Sequence, residues 1–188
     1  MEKIKIGAQT LMYPMPALLV GSSVEGKPNF MTVAWSGVAC SEPPMISVAI
    51  RHQRHTLKGM KENMTFSVNV PSVDQAKETD HCGIVSGAKE DKVKACGFKV
   101  FYGSLKATPM IQQCPVNIEC KIVHMLDLGS HILVIGKIEE VYVSSDCFSG
   151  EQPDVKKINP LVWTLPANVY QGLGEVVGKA FKIGREIT

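Results

Sequence analysis

The most chemically pointed stretch of the chain is Arg51-His52-Gln53-Arg54-His55-Thr56. Arginines, histidines and a hydroxyl crowd together at the exit of an apolar run, Met45–Ile50. Leu57 and Met60 follow at helical spacing, which predicts a helix over Thr56–Asn63. A helix start presents free backbone N–H groups and the positive end of the helix dipole, and both favour an anion. Arginine adds forked donors that match phosphate oxygens. Arg51, His55 and Thr56 therefore suit a phosphate group. Each also has a plain structural use. Arg51 and Arg54 can be a solvated surface pair, and Thr56 can be an N-cap.

Other chemistries find less support. His52, His55, His81 and Cys82 match no common zinc spacing, so no metal site is expected. There is no G-x-S-x-G elbow for a serine nucleophile and no G-x-G-x-x-G after the first strand. Cys114 and Cys120 flank a strand start and read as buried thiols rather than a redox pair. The net charge of +2 and the scatter of lysines give no reason for nucleic acid as a partner. No apolar run is long enough to span a bilayer. Glu2, Lys3 and Lys5 break any leader pattern. The 6 cysteines form no C-x-x-C pair, which points to reduced thiols in a cytoplasmic protein.

The chain of 188 residues is expected to form one domain, 1–188, with a sizeable core. The elements that must position the cationic turn are mostly strands. Ala17–Val24 is a strand, and Glu25-Gly26-Lys27-Pro28 a turn. The apolar runs Met31–Ala39 and Met45–Ile50 flank a Ser-Glu-Pro-Pro corner. Thr65–Val70 alternates as a strand should. Pro71–Gly97 reads as a helical insertion. In it, Ser72 caps a helix through Glu78, Asp80–Gly83 is loop-like, and Lys89–Cys96 is a second helix or turn. Val100–Lys106 is a strand. Val116–Val123 and His131–Val143 form a long hairpin, with a bulge or barrel corner at Gly136. The tail after Tyr170 is glycine-punctuated. Many short strands with glycine at bends predict an antiparallel barrel.

Asn29-x-x-Thr32-x-Ala34-Trp35, then Pro43-Pro44, then Arg51-x-x-x-His55-Thr56, resembles the flavin reductase-like family of FMN-binding split barrels, the flavoredoxin branch above all. The resemblance continues through Phe66–Pro71, Gly83-x-x-Ser86-Gly87, Asp91-Lys92, Asn159–Val162 and the glycine-rich tail. It implies a mainly β fold: a six-stranded Greek-key split β-barrel with short helical insertions. It also implies FMN as cofactor and a homodimer with the flavin near the interface. The activity it implies is that of a flavoprotein oxidoreductase, accepting a hydride or electrons at flavin N5 and passing them on. NAD(P)H or a redox protein would be the donor. The alternative is a flavin-holding electron carrier without its own NAD(P)H site.

An isoalloxazine ring needs polar groups at its edge, an apolar wall and a phosphate anchor. Asn29, Thr32, Val33, Ala34, Trp35 and Ser36 are expected along the ring, with Trp35 as wall. Arg51, His55 and Thr56 are expected at the phosphate. Ser86, Gly87, Lys89 and Lys92 would complete the site, from the other subunit of the dimer. His81, read as a loop histidine, is the candidate for steering protons. Trp35 can equally be core or interface packing, and Asn29 only a turn residue.

Overall fold

The structure, a computed structural model, describes residues 1–187; Thr188, the last residue of the expected domain, lies outside them. Seven strands make the main sheet: β1 Leu18–Val24, β2 Lys27–Val33, β3 Ser36–Ser41, β4 Pro44–Arg51, β5 Thr65–Val70, β6 Val116–Asp127 and β7 His131–Val143. Their spatial order is β2-β1-β5-β6-β7-β4-β3, and every pairing is antiparallel. All of them except β3 send side chains into one core, built around Val20, Met31, Val48, Ile50, Phe66, Val68, Cys120 and Val134. Helix α1, Thr56–Asn63, adds Leu57 and Met60 to that core. This is a six-stranded Greek-key barrel with β3 lying outside as a flap. It is split because β2 and β4, the strands that would close it, share no hydrogen-bonded ladder among the described residues.

Burial explains the register. Glu25 and Gly26 both take positive φ, 51° and 75°, the geometry of a tight two-residue hairpin. β2 therefore begins at Lys27, earlier than the turn read into Glu25–Pro28. Gly136 sits at a register shift between β7 and β6. A Cβ there would lie 2.4 Å from Phe66 Cε1, so the largest ring of the core requires a glycine opposite it.

Four expectations are corrected. The run Met31–Ala39 is two strands, not one. The chain leaves β2 at Val33 and crosses at Ala34-Trp35 to the opposite edge of the sheet, where β3 begins. Asp80–Gly83 is helical, inside α2, Ala76–Ile84, because Thr79 and Cys82 are buried on one helical face. Val100–Lys106 shrinks to Val100–Phe101, paired only with Met110–Ile111. Ser72 precedes a short 3₁₀ turn, Val73–Gln75, and α2 starts only after it.

The helical insertion has its own small core of Leu19, Phe30, Cys82, Phe98, Ile111 and Cys114 on the outer face of β1 and β2. Helix α3, Lys92–Ala95, is capped by Asp91, whose Oδ1 accepts from the Lys94 N–H at 3.1 Å. This packing hangs the link between α2 and α3 over the start of α1. The cationic turn is thereby roofed by residues some thirty positions away in sequence.

Candidate functional site

Two contiguous pockets occupy this end of the barrel. The first, about 290 Å³, is lined by Arg51, Arg54, His55 and Thr56 from the turn and by Ser86, Gly87 and Lys92 from the insertion. None of Arg51, Arg54 and Lys92 forms an ion pair among the described residues. Instead, two of the cations rest on the carbonyl end of α2. Arg54 Nη1 donates to the Gly83 carbonyl at 2.7 Å. Lys92 Nζ donates to the carbonyls of Cys82, at 3.1 Å, and Val85, at 3.3 Å. Cations at a helix C-terminus are favoured by the dipole. They are held there without being neutralised.

The crowding of positive charge registers in titration. Burial, followed by the neighbouring Arg51 charge, holds the Arg54 guanidinium below its ordinary value. Burial lowers Lys92, with Arg54 adding to it. His55 is lowered by burial and then by Lys58. A cluster in which cations are mutually destabilised and form no ion pair with a carboxylate is complementary to an anion.

Thr56 is not the N-cap of α1. The helix N-cap is His55, and no side chain caps this helix. The Thr56 hydroxyl is buried and accepts from Asn29 Nδ2 at 2.6 Å. With its oxygen so engaged, Thr56 keeps its own O–H proton for donation into the pocket. Asn29 thus stands behind the cationic turn rather than along the Trp35 wall. Gly87 packs against that amide so closely that a Cβ would fall 1.9 Å from Asn29 Oδ1.

The second pocket, about 300 Å³, is lined by Met31, Thr32, Val33, Ala34, Trp35, Ala49, Arg51, Arg54, His131 and Trp163. Met31, Arg51 and Arg54 are common to both pockets. Trp35 and His131 stand with ring centroids 4.4 Å apart. Burial, then Arg51 and His52, lowers His131, which favours a neutral imidazole. The arrangement suits a planar aromatic ring continuous with an anionic tail. Val33 contributes to this wall although its side chain also belongs to the barrel core. The Thr32 hydroxyl is spent on the Thr79 carbonyl, which ties β2 to α2.

Other expected residues lie elsewhere. Ser36 Oγ donates to the Ser47 carbonyl at 2.7 Å and lines a separate apolar pocket beyond Trp35. Lys89 lines a neighbouring cleft of about 540 Å³ that also touches His55, Gly87 and Lys92. His81 stands on α2 with Nε2 3.1 Å from Glu90 Oε1, a clasp between that helix and the link to α3. The histidine at the ring pocket is His131, brought there because β7 pairs with β4 in the register His131↔Arg51. Sequence reasoning missed His131, Trp163 and the placement of Arg54. Only the first carried a local signal, as a histidine opening a long strand.

Known proteins share this fold. A family model described as flavin reductase like domain matches residues 10–165. A flavoredoxin from Methanosarcina acetivorans superposes with a TM-score of 0.95 at 40% identity, covering 100% of both chains. A flavoredoxin of Desulfovibrio vulgaris (Miyazaki F) gives 0.91 at 34% identity, covering 97% of this chain and 100% of that one. A protein of Archaeoglobus fulgidus, itself uncharacterized, is 35% identical over 144 residues, which is 77% of this chain and 80% of its own.

Proposed function

The chain belongs to the flavin reductase like family, and from that premise we propose that it is a flavoprotein oxidoreductase holding FMN at the end of the barrel where α1 begins. The observation that supports this best is the junction of a carboxylate-free cationic pocket with an aromatic-walled one through Met31, Arg51 and Arg54. FMN is a planar ring system joined by a short polyol to a phosphate, and it needs both halves together.

The donor set fits. Arg51, His55, Thr56, Ser86 and Lys92 would take the phosphate; Thr32, Val33, Ala34, Trp35, His131 and Trp163 would line the ring. Lys92 fits most tellingly. A buried ammonium without a carboxylate is costly, and an incoming phosphate offsets that cost. When bound, FMN supplies hydride and electron-transfer chemistry. The chain binds the phosphate, orients the ring against Trp35, excludes water from one side, and places the neutral His131 imidazole where it can hold a proton. Asn29 acts from behind, by fixing the Thr56 hydroxyl as a donor.

A second reading, an electron carrier with no pyridine-nucleotide site, is favoured by the likeness to two flavoredoxins. The visible spectrum of the purified protein tests the flavin. Stopped-flow mixing with NADH and with NADPH then separates the readings: rapid bleaching supports a reductase, and bleaching only by a reduced redox protein supports a carrier. Two further proposals accompany the first. The chain works as a homodimer, since Ile4, Ile6, Met12, Val176, Val177 and Phe181 stand exposed on the two terminal arms. It works in the cytoplasm, in keeping with its free cysteines. No helix among the described residues is long and apolar enough to cross a membrane.

A further inference from the structure

The ring pocket opens sideways into a recess of about 340 Å³. The two share Thr32, Ala34, Arg54 and Trp163. Arg54 is common to this recess, the ring pocket and the cationic pocket. Beyond the border the recess is walled by Asp80, on α2, and Tyr170, on the short strand Val169–Gln171. Trp163 and Tyr170 are direct cross-strand partners, so their rings share one face of that small sheet.

The polar capacity of the recess is one-sided. Tyr170 Oη donates to Asp80 Oδ1 at 3.1 Å, which engages the phenol proton and one carboxylate oxygen with each other. Burial and Asp80 push the phenol up to about 12, so it stays neutral. Arg54 has donated one N–H to Gly83 and keeps the rest of its guanidinium donors. The recess therefore offers an aromatic floor with free N–H donors at the ring-pocket border. Asp80 disfavours an anionic head, and Arg54 disfavours a cationic one. What remains complementary is a neutral acceptor on a flat apolar body.

On the FMN reading above, we propose that this recess binds a small planar conjugated carbonyl compound beside the flavin. Its body lies on Trp163 and Tyr170, and its carbonyl oxygen accepts from Arg54. The site is thus the seat of the second redox substrate, and the substrate class is a neutral conjugated ketone, aldehyde or quinone.

The test uses the FMN-loaded protein and acetophenone as probe, with styrene as a control of nearly the same shape lacking the oxygen. Titration is followed by the perturbation of bound-flavin absorbance. Acetophenone is expected to saturate, and styrene to bind roughly tenfold more weakly for want of the hydrogen bond. Tyr170→Ala is expected to weaken acetophenone roughly five- to tenfold through loss of the aromatic floor. Tyr170→Phe keeps the floor and the affinity. FMN affinity is unchanged in both variants. Equal binding of styrene, or no saturable perturbation, overturns the proposal. So does a Tyr170→Ala variant that loses FMN by the same factor, since the recess would then belong to the flavin. A protein that takes up no FMN overturns the flavin reading itself and this proposal with it; one that takes FMN but ignores the probe overturns this proposal alone.

Discussion

Lys92→Met separates a phosphate anchor from a structural clamp. Lys92 is 4% exposed, and its ammonium rests on two α2 carbonyls with no carboxylate partner. In the flavin-free protein the substitution has two opposed effects. It removes a desolvated charge, which is favourable, and it strips the Cys82 and Val85 carbonyls of their donor, which costs about 1–3 kcal/mol. These nearly cancel, so the stability of the flavin-free protein is expected to move by less than about 2 kcal/mol. Ligand binding has no such cancellation. A charge-assisted contact to a partly buried phosphate contributes about 1.5–3 kcal/mol, or roughly a ten- to hundredfold loss of FMN affinity. Riboflavin has the ring without the phosphate and should move by less than about twofold, since a neutral tail gains almost nothing from the ammonium.

The same residue sets a pH dependence. Burial holds Lys92 below its ordinary value of 10.5. As pH rises through that lowered value the ammonium loses its charge, so FMN affinity should begin to fall below the usual lysine range. The fall should be absent for riboflavin and in Lys92→Met. Stability moves in the opposite direction. Between the lowered value and about 10.5 the unfolded chain still binds the proton that the folded one has released. The flavin-free protein therefore gains stability as pH rises through that window and loses it as pH falls back. Fluorescence titration of the flavin-free protein with both ligands across alkaline pH, paired with denaturant melts, reads all of this. Equal loss of FMN and riboflavin in Lys92→Met would refute the reasoning and make Lys92 a clamp on α2.

Arg51→Ala, at an exposed position of the same pocket, should weaken FMN selectively but less, by roughly three- to tenfold, because solvent screens the contact; the same titration measures it. Gly87→Ala places a Cβ 1.9 Å from Asn29 Oδ1, so the amide must swing off Thr56; FMN affinity and melting temperature should both drop, while Gly37→Ala, with nothing within 4 Å, should change neither. Cys120→Ser buries a hydroxyl beside Phe66 without a hydrogen-bond partner and should cost about 1–3 kcal/mol in denaturant melts. Cys114→Ser should cost less, because Gln75 Nε2 already points at that atom from 3.7 Å. Sedimentation at micromolar concentration should give a mass near twice 20.5 kDa; a monomer with bound flavin would rule out the dimer.

The sequence by itself determined whatever depends on neighbours along the chain. The apolar run Met45–Ile50, the cationic turn and the helix from Thr56 are contiguous, so their order alone predicts a strand, an anion-seeking corner and a helix start. Alternation along Thr65–Val70 and Val116–Val123 marked strands because one face of each fills the barrel. Tertiary structure decided what depends on residues far apart. His131 faces the ring pocket only because β7 pairs with β4 across eighty residues, and Trp163 only because its strand, Val162–Thr164, pairs with Met15–Pro16 just ahead of β1. Asn29 looked like a ring contact from its spacing to Trp35. Burial against Gly87 and Thr56 gave it another task. The break after Val33 was hidden for the same reason. Met31–Ala39 is mostly apolar, and nothing in its composition says that the chain must cross from one edge of the sheet to the other there. Only barrel closure, with β2 and β3 at opposite edges, imposes that step.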